Sequence, residues 1–193
     1  MHSLLQVLRT VSHLKPRQIA YQLIRRLGLR TKVSQVNGSI AQRQGVTLNP
    51  FIVRRMYGDE NAFTFLNLTR RFDPARSDWA ASGMDKLWRY NLHYFNYLNE
   101  EGRLWESKAF LVASWIQRNP QGLPDAWEPF PVSLRIVNWI KLFLSPEAAG
   151  KLEESWLKSL YVQALWLEKN IEYHLLANHL FKNGKALVFA GFF

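Results

Sequence analysis

Apolar residues recur at helical spacing along most of the chain after Asp85. Two successive stripes repeat every three or four residues, which is the spacing that lines one face of an α-helix. The stripes consist of Leu87, Trp88, Leu92, Phe95 and Leu98, and then of Leu104, Phe110, Leu111, Trp115 and Ile116. Similar patterns predict helices over residues 133–144 and roughly 151–176. Helices in series with short connections indicate stacked antiparallel hairpins.

The pattern before residue 79 is weaker. It predicts one helix over residues 2–14 and a second that begins at Pro16 and ends near Gly28, since proline suits a first helical turn and glycine a helix end. Residues 31–49 are polar and small and predict a linker. Residues 51–53 and 62–66 predict a short β-hairpin. We therefore expect an N-terminal arm over residues 1–78 and a helical domain over residues 79–193.

Charge divides the chain in the same place. The formal net charge is +10, and ten Lys or Arg residues precede Asp59, the first acidic residue. From Trp79 onward, 12 basic residues oppose 11 acidic ones. A basic amphipathic arm of this kind binds an acidic polymer, lies on an anionic membrane surface, or packs on the main domain with its charges in water. A nucleic-acid partner is not expected, because the arm carries no recognised binding motif.

Other function classes are excluded by composition. The chain has no cysteine, so it forms neither disulfides nor thiolate metal sites. His174 and His179 are five residues apart, which does not match the spacing of a helical zinc motif. We predict no metal and no cofactor. No secretory signal is recognised, which predicts a cytoplasmic location for the chain as written and leaves a periplasmic or membrane-associated location open.

Asn178 and His179 are the most conspicuous polar pair, because they lie in an apolar, aromatic-rich region. Both side chains carry hydrogen-bonding groups that are costly to bury without partners. Asn178 is either the cap of a new helix or part of one helix that continues to Gly184. We expect a break before Asn178, which would place its amide at the positive end of a helix dipole. The alternative to a functional role is a capping Asn followed by a half-buried His.

Three ordered stretches resemble the heparinase II/III family of polysaccharide lyases. They are LWRYNLHYF at residues 87–95, WEPFPVSLRIVNWI at residues 127–140, and EYHLLANHL at residues 172–180, which is followed by NGKAL at residues 183–187. The resemblance implies a mainly α fold: a partial α/α toroid of stacked antiparallel hairpins, which in the family precedes a β-sandwich domain. It also implies β-elimination on uronic-acid-containing polysaccharide, and hence an acidic polysaccharide partner.

The resemblance assigns roles to two residues of this chain. Asn178 corresponds to the residue that neutralises the substrate carboxylate, and His179 is its neighbour in the same task. The family's tyrosine acid/base comes from a later toroid helix and a further histidine comes from the β domain, and neither matches a residue here. We therefore expect half an active site and a fragment without lyase activity of its own.

Further residues are candidates for contacting an acidic sugar. Trp127 lies in a proline-rich loop, where an indole can stack on a sugar ring. The other candidates lie in the matching stretches and are Tyr90, His93, Arg135, Asn138 and Trp139. Each of them is equally well explained as a packing residue of the helical core. Two other functions stay open: a glycoside hydrolase that uses Glu128 and Glu172, and a non-catalytic glycan-binding or membrane-associated helical scaffold.

Overall fold

The helices predicted from the apolar stripes are present in a computed structural model, which describes residues 9, 11–34, 36–48, 61–72 and 78–193. The fold is mainly helical with one short hairpin, as expected. The α-helices are α1 (Pro16–Arg26), α2 (Lys86–Tyr94), α3 (Trp105–Arg118), α4 (Pro129–Phe143), α5 (Glu154–Lys169) and α6 (Ala177–Phe192). Short 3-10 helices follow α2 at Asn96–Asn99 and α4 at Pro146–Ala148. The predicted helix over residues 2–14 lies largely outside the described residues.

Helices α2, α4 and α6 lie side by side and run in the same direction. The carbonyl oxygen of Tyr94, at the end of α2, accepts a 2.8 Å hydrogen bond from Asn138 in α4. Near the start of α4, Ser133 accepts a hydrogen bond from Asn183 of α6. At the other end of both helices, Phe143 packs on Phe193. These contacts make one layer of three parallel helices.

Helices α3 and α5 form a second layer and run in the opposite direction. Trp127, just before α4, donates to the carbonyl oxygen of Asn119 just beyond α3. It also packs on Trp166, near the end of α5. Phe143, at the end of α4, stacks on Trp156, near the start of α5. Successive helices from α3 to α6 are thus antiparallel, and buried aromatic rings fill the space between the two layers.

The hairpin consists of β1 (Ala62–Phe65) and β2 (Leu68–Arg71), which pair antiparallel with Phe65 opposite Leu68. Residues 51–53, which were expected to supply the other strand of the hairpin, lie outside the described residues, and the described partner of β1 is the strand that follows it directly. The turn between the strands places both Leu66 and Asn67 at positive φ. Phe63 and Phe65 pack against the core beside Tyr97 and Trp88.

Two helix boundaries differ from the prediction. Helix α4 begins at Pro129 rather than at residue 133, because a proline in the first turn loses no helical hydrogen bond. Helix α5 ends at Lys169 rather than near residue 176. There the side chain of Asn170 donates to the carbonyl oxygens of Trp166 and Thr31, which closes the helix with a contact from the distant N-terminal arm.

The N-terminal arm packs on the connection between α5 and α6. Arg17 lies over the ring of Tyr173 at 3.6 Å, and Tyr21 makes an edge contact with the same ring. Further along the arm, Arg30 donates to the carbonyl oxygen of Trp127. Packing of α1 on the main domain is therefore observed. Within the described part of the chain, every helix is too short or too polar to cross a membrane.

Candidate functional site around the Asn178-His179 segment

The connection before α6 brings the Asn-His segment to the surface. The chain leaves α5 at Asn170 and enters α6 at Ala177, so the expected break before Asn178 is present. Leu176 occupies the cap position with φ 52°, and Ala177 has φ 43°. Left-handed conformations cost residues other than glycine of the order of 1–3 kcal/mol each, and they concentrate at functional sites. The break thus carries strain directly ahead of Asn178.

Asn178 lies in the first turn of α6 rather than at the cap. The cap residue is Leu176, which makes no side-chain capping bond, so the prediction that Asn178 caps the helix was wrong by two positions. Asn178 is exposed, and no described residue hydrogen-bonds to its side chain. Its amide stands at the positive end of the helix, where backbone N–H groups lack helical partners. This position suits the binding of an anion.

His179 is held by a carboxylate from the preceding connection. Its Nδ1 lies 3.0 Å from Oε2 of Glu172, which is buried. Glu172 is itself fixed by Asn183, whose side chain accepts from the Glu172 N–H at 2.9 Å and donates to its Oε2 at 3.4 Å. The Asn183 amide also donates to Ser133 of α4. Three segments of the chain therefore fix the orientation of one imidazole.

Aromatic rings support His179 from the side of α4. Phe130 lies 4.4 Å from the imidazole, centroid to centroid, and Tyr94 of α2 meets Phe130 edge on. Burial, and secondarily the negative charge of Glu172, raises the pKa of Tyr94 to about 12. Tyr94 therefore stays a neutral phenol at physiological pH. The rings form an apolar wall beside the histidine–carboxylate pair.

Tyr90 is near this wall, and its hydroxyl donates a short hydrogen bond to Glu128. Burial, followed by that hydrogen bond, raises the pKa of Tyr90 far above its usual value. Burial acts to raise the pKa of Glu128, but hydrogen bonds from Tyr90 and Lys86 outweigh it and hold that pKa below its usual value. Glu128 is thus an ionised acceptor at neutral pH. Of the candidate sugar contacts, Tyr90 is the one that remains half-exposed.

The remaining candidates lie beneath the surface. Arg135 is 0 % exposed; its guanidinium lies 3.8 Å from the Trp115 ring and donates to Gln163 and to the carbonyl oxygens of His93 and Ala126. Burial lowers the pKa of Arg135. The guanidinium joins α2, α4 and α5 beneath the surface. These buried residues form the floor of the site.

His93 is buried in the same floor. Its Nδ1 accepts a 3.1 Å hydrogen bond from the indole of Trp115. Burial, together with the positive charges of Arg135 and Arg89, lowers the pKa of His93 to about 3. Its ring is therefore neutral. In this structure it is a packing group with one satisfied nitrogen rather than a surface group.

Trp127, Trp139 and Asn138 are also buried. The indole of Trp127 faces inward and bonds the Asn119 carbonyl, and Trp139 lies among Phe95, Trp115 and Phe143. The Asn138 amide bonds the end of α2 but reaches the rim of a groove between α2, α4 and α6. Contact of these three residues with a sugar stays a prediction.

Sequence reasoning missed the residues that orient the Asn-His segment. Glu172 was considered only as half of a hydrolase pair, and Asn183 and Phe130 were not singled out. Asn183 lies four residues after His179 and so shares its helix face, which is a signal that the sequence does contain. Phe130 comes from a different helix, and its approach to His179 could not be read from spacing.

Together, fold and site define a two-layered helical protein with a histidine–carboxylate pair beside an exposed asparagine, at the start of its last helix. The family model for the heparinase II/III N-terminus matches residues 2–193. The chain belongs to this family and is thus related to polysaccharide lyases. The family implies a polysaccharide substrate of the glycosaminoglycan type. Comparisons with curated proteins and with solved structures found no match.

Proposed function

We propose that this chain is the N-terminal portion of a lyase that cleaves uronic-acid-containing polysaccharide by β-elimination. In this proposal Asn178 and His179 bind the carboxylate of the sugar whose proton is removed. The layered helices form part of an α/α toroid, and the proton-transferring tyrosine and a second histidine come from outside this chain. The chain alone is then inactive.

The chemistry requires stabilised negative charge. A proton on the carbon next to a carboxylate is weakly acidic, because its removal places a second negative charge on that carbon and on the carboxylate oxygens. Donors aimed at those oxygens stabilise the enolate-like state in the way that an oxyanion hole does. A base then removes the proton and an acid protonates the departing glycosidic oxygen.

One observation carries the proposal: Asn178 is exposed in the first turn of α6, beside a histidine whose ring is fixed on two sides. The Asn178 amide and the free N–H groups of the first turn are donors for an anion. The position of His179 is maintained by Glu172 and Phe130. Donors fixed in advance stabilise developing charge without reorganisation cost.

Glu128 and Glu172 fit the rival hydrolase poorly. A hydrolase acid needs a carboxyl group with a raised pKa, whereas Tyr90 and Lys86 hold that of Glu128 low against the effect of burial. Glu172 is engaged with His179 and Asn183.

The test uses a protein that carries this chain together with the downstream toroid helices and β domain of the family. Incubation with uronic-acid polymers should yield chain ends with a carbon–carbon double bond conjugated to the carboxylate, followed by ultraviolet absorbance. Hydrolytic products without the double bond would replace the lyase with the hydrolase. Binding of the polymers without any cleavage would favour the non-catalytic glycan-binding alternative.

A further inference from the structure

A groove of about 520 Å³ lies between the end of α2, the middle of α4 and the middle of α6. Its lining combines apolar, polar and basic side chains, and none of the lining residues is acidic. One wall carries the rings of Tyr94 and Phe130, and α4 contributes Asn138 and Lys141. Since Phe130 lines the groove and also packs on His179, the groove lies next to the Asn-His segment.

Three lysines converge on this groove from two helices. Lys182 and Lys185 follow Asn178 by four and seven residues on α6, so all three residues lie along one helix face. With a rise of about 1.5 Å per residue, they extend over roughly 10 Å. Lys141 faces them from α4, and burial, followed by the charges of Lys185 and Lys182, lowers the pKa of Lys141. The ammonium groups therefore repel one another.

No described carboxylate lies within ion-pair distance of Lys182 or Lys185. The like charges of Lys182 and Lys185 destabilise the free protein, and their repulsion is relieved when an anion binds between them. Lysine ammonium groups act as point charges that suit the oxygens of a carboxylate or sulfate.

The neutral lining fits a sugar. Asn91, Asn96 and Asn99 stand at the rim beside Asn138 and offer amide donors and acceptors for hydroxyl groups. The aromatic wall offers a face for a pyranose ring. This mixture of amides, rings and cations favours an acidic sugar over a lipid headgroup or a nucleic acid, for which phosphate contacts alone would suffice.

We propose that the groove is a second anion subsite, in which Lys141, Lys182 and Lys185 bind a carboxylate or sulfate of a sugar near the one held at Asn178. The inference rests on the proposed function for the identity of the polymer. The face that carries Asn178, Lys182 and Lys185 sets the path of the sugar chain along α6. The positive charge of the groove then selects polymers that carry acidic groups on two neighbouring sugars.

The experiment compares Lys182→Gln/Lys185→Gln with the matched control Arg118→Gln/Lys169→Gln, which removes the same charge from exposed positions at the ends of α3 and α5. Calorimetric titration gives Kd for a sulfated and an unsulfated uronic-acid oligosaccharide. Loss of charge-assisted hydrogen bonds should weaken binding roughly tenfold or more in the groove variant and about twofold or less in the control. A larger loss for the sulfated probe assigns the anion as sulfate, and an equal loss assigns it as carboxylate.

Equal weakening in both double variants would overturn the subsite. The subsite would also be overturned if the groove variant lost affinity for a single-stranded DNA probe to the same extent, since that result describes a general polyanion-binding surface. Asn178→Ala is measured beside them: if it weakens binding and the groove variant does not, the subsite fails and the proposed function stands. If the groove variant weakens binding and Asn178→Ala does not, the subsite stands and the proposed function loses support. Unfolding midpoints are expected to stay level or rise, because the substitutions relieve repulsion.

Discussion

Oε2 of Glu172 lies 3.0 Å from Nδ1 of His179, seven residues further along the chain and across the turn that joins α5 to α6. A carboxylate oxygen accepts, so Nδ1 donates its proton to Glu172, and Nε2 is the ring nitrogen that remains for a ligand. Asn183 holds the same carboxylate in place. One tautomer of His179 is therefore selected by the connection and not by the ligand.

We predict that Glu172→Ala releases this tautomer while the chain stays folded. Without the carboxylate, the two ring nitrogens of His179 should exchange the proton, and the nitrogen-15 shifts of the ring should move toward a tautomer average. Glu172→Gln is the conservative partner, because its amide oxygen can still accept from Nδ1. An unchanged ring spectrum in Glu172→Ala would remove Glu172 as the residue that positions His179.

Arg135 gives a second prediction, which concerns the floor of the site. Arg135→Lys keeps a positive charge but cannot present a planar fork to Gln163 and two carbonyl oxygens or stack on Trp115. Loss of about two buried hydrogen bonds should lower the free energy of unfolding by roughly 2–3 kcal/mol. Denaturant melts measure it. Arg118→Lys, at an exposed helix end, serves as the control and should change stability by less than about 0.5 kcal/mol.

The pKa of His93 predicts a pH dependence of stability. This pKa is about 3 in the folded protein and about 6.5 in an unfolded chain. Below about pH 6.5 the unfolded state therefore binds a proton that the folded state refuses, and stability falls as the pH falls. The loss is about 1.4 kcal/mol for each pH unit between those two values, and it is complete below the folded pKa.

His93→Gln removes this linkage and should flatten the curve of unfolding free energy against pH between pH 6.5 and 4. The comparison is the difference in slope between variant and parent, because carboxyl groups titrate in both. If His93→Gln kept the parental slope of unfolding free energy against pH, His93 would be protonated in the folded parent protein without a loss of stability.

Much of the fold followed from the sequence, because the apolar stripes after Asp85 are long and regular. The helix α3 over Trp105–Arg118 and the break before Asn178 were both predicted. The end of α5 was not, since the contact of Asn170 with Thr31 joins residues that are far apart in the chain. The local hydrophobic pattern carries no information about such a long-range contact at a helix end.

The site was harder to predict than the helices. The sequence of a matching stretch does not show whether its arginine or histidine contacts a ligand or an indole. In the structure, Arg135 and His93 both contact Trp115. Their burial depends on the packing of α2 against α3 and α4. Conversely, Lys141 and Lys182 are unremarkable in sequence, and only the parallel arrangement of α4 and α6 brings them to one groove.

The last prediction concerns Asn178 in a protein that also carries the downstream catalytic segments. Asn178 is exposed and makes no capping bond, so Asn178→Ala should cost less than about 0.5 kcal/mol of stability. If its amide acts on the charge that develops during proton removal, kcat should fall more than KM rises. Loss of one oxyanion-type donor is worth about 2.7–4 kcal/mol, or roughly a hundred- to a thousandfold in rate.

Steady-state kinetics and a denaturant melt on the same Asn178→Ala protein separate this role from the others. A raised KM with unchanged kcat would assign Asn178 to ground-state binding of the sugar, because uniform binding does not alter the chemical step. Asn37→Ala, at an exposed position in the N-terminal arm, controls for the loss of an amide. Full turnover at parental KM in a folded Asn178→Ala protein would remove Asn178 from the catalytic residues, and His179 would then have to be tested alone.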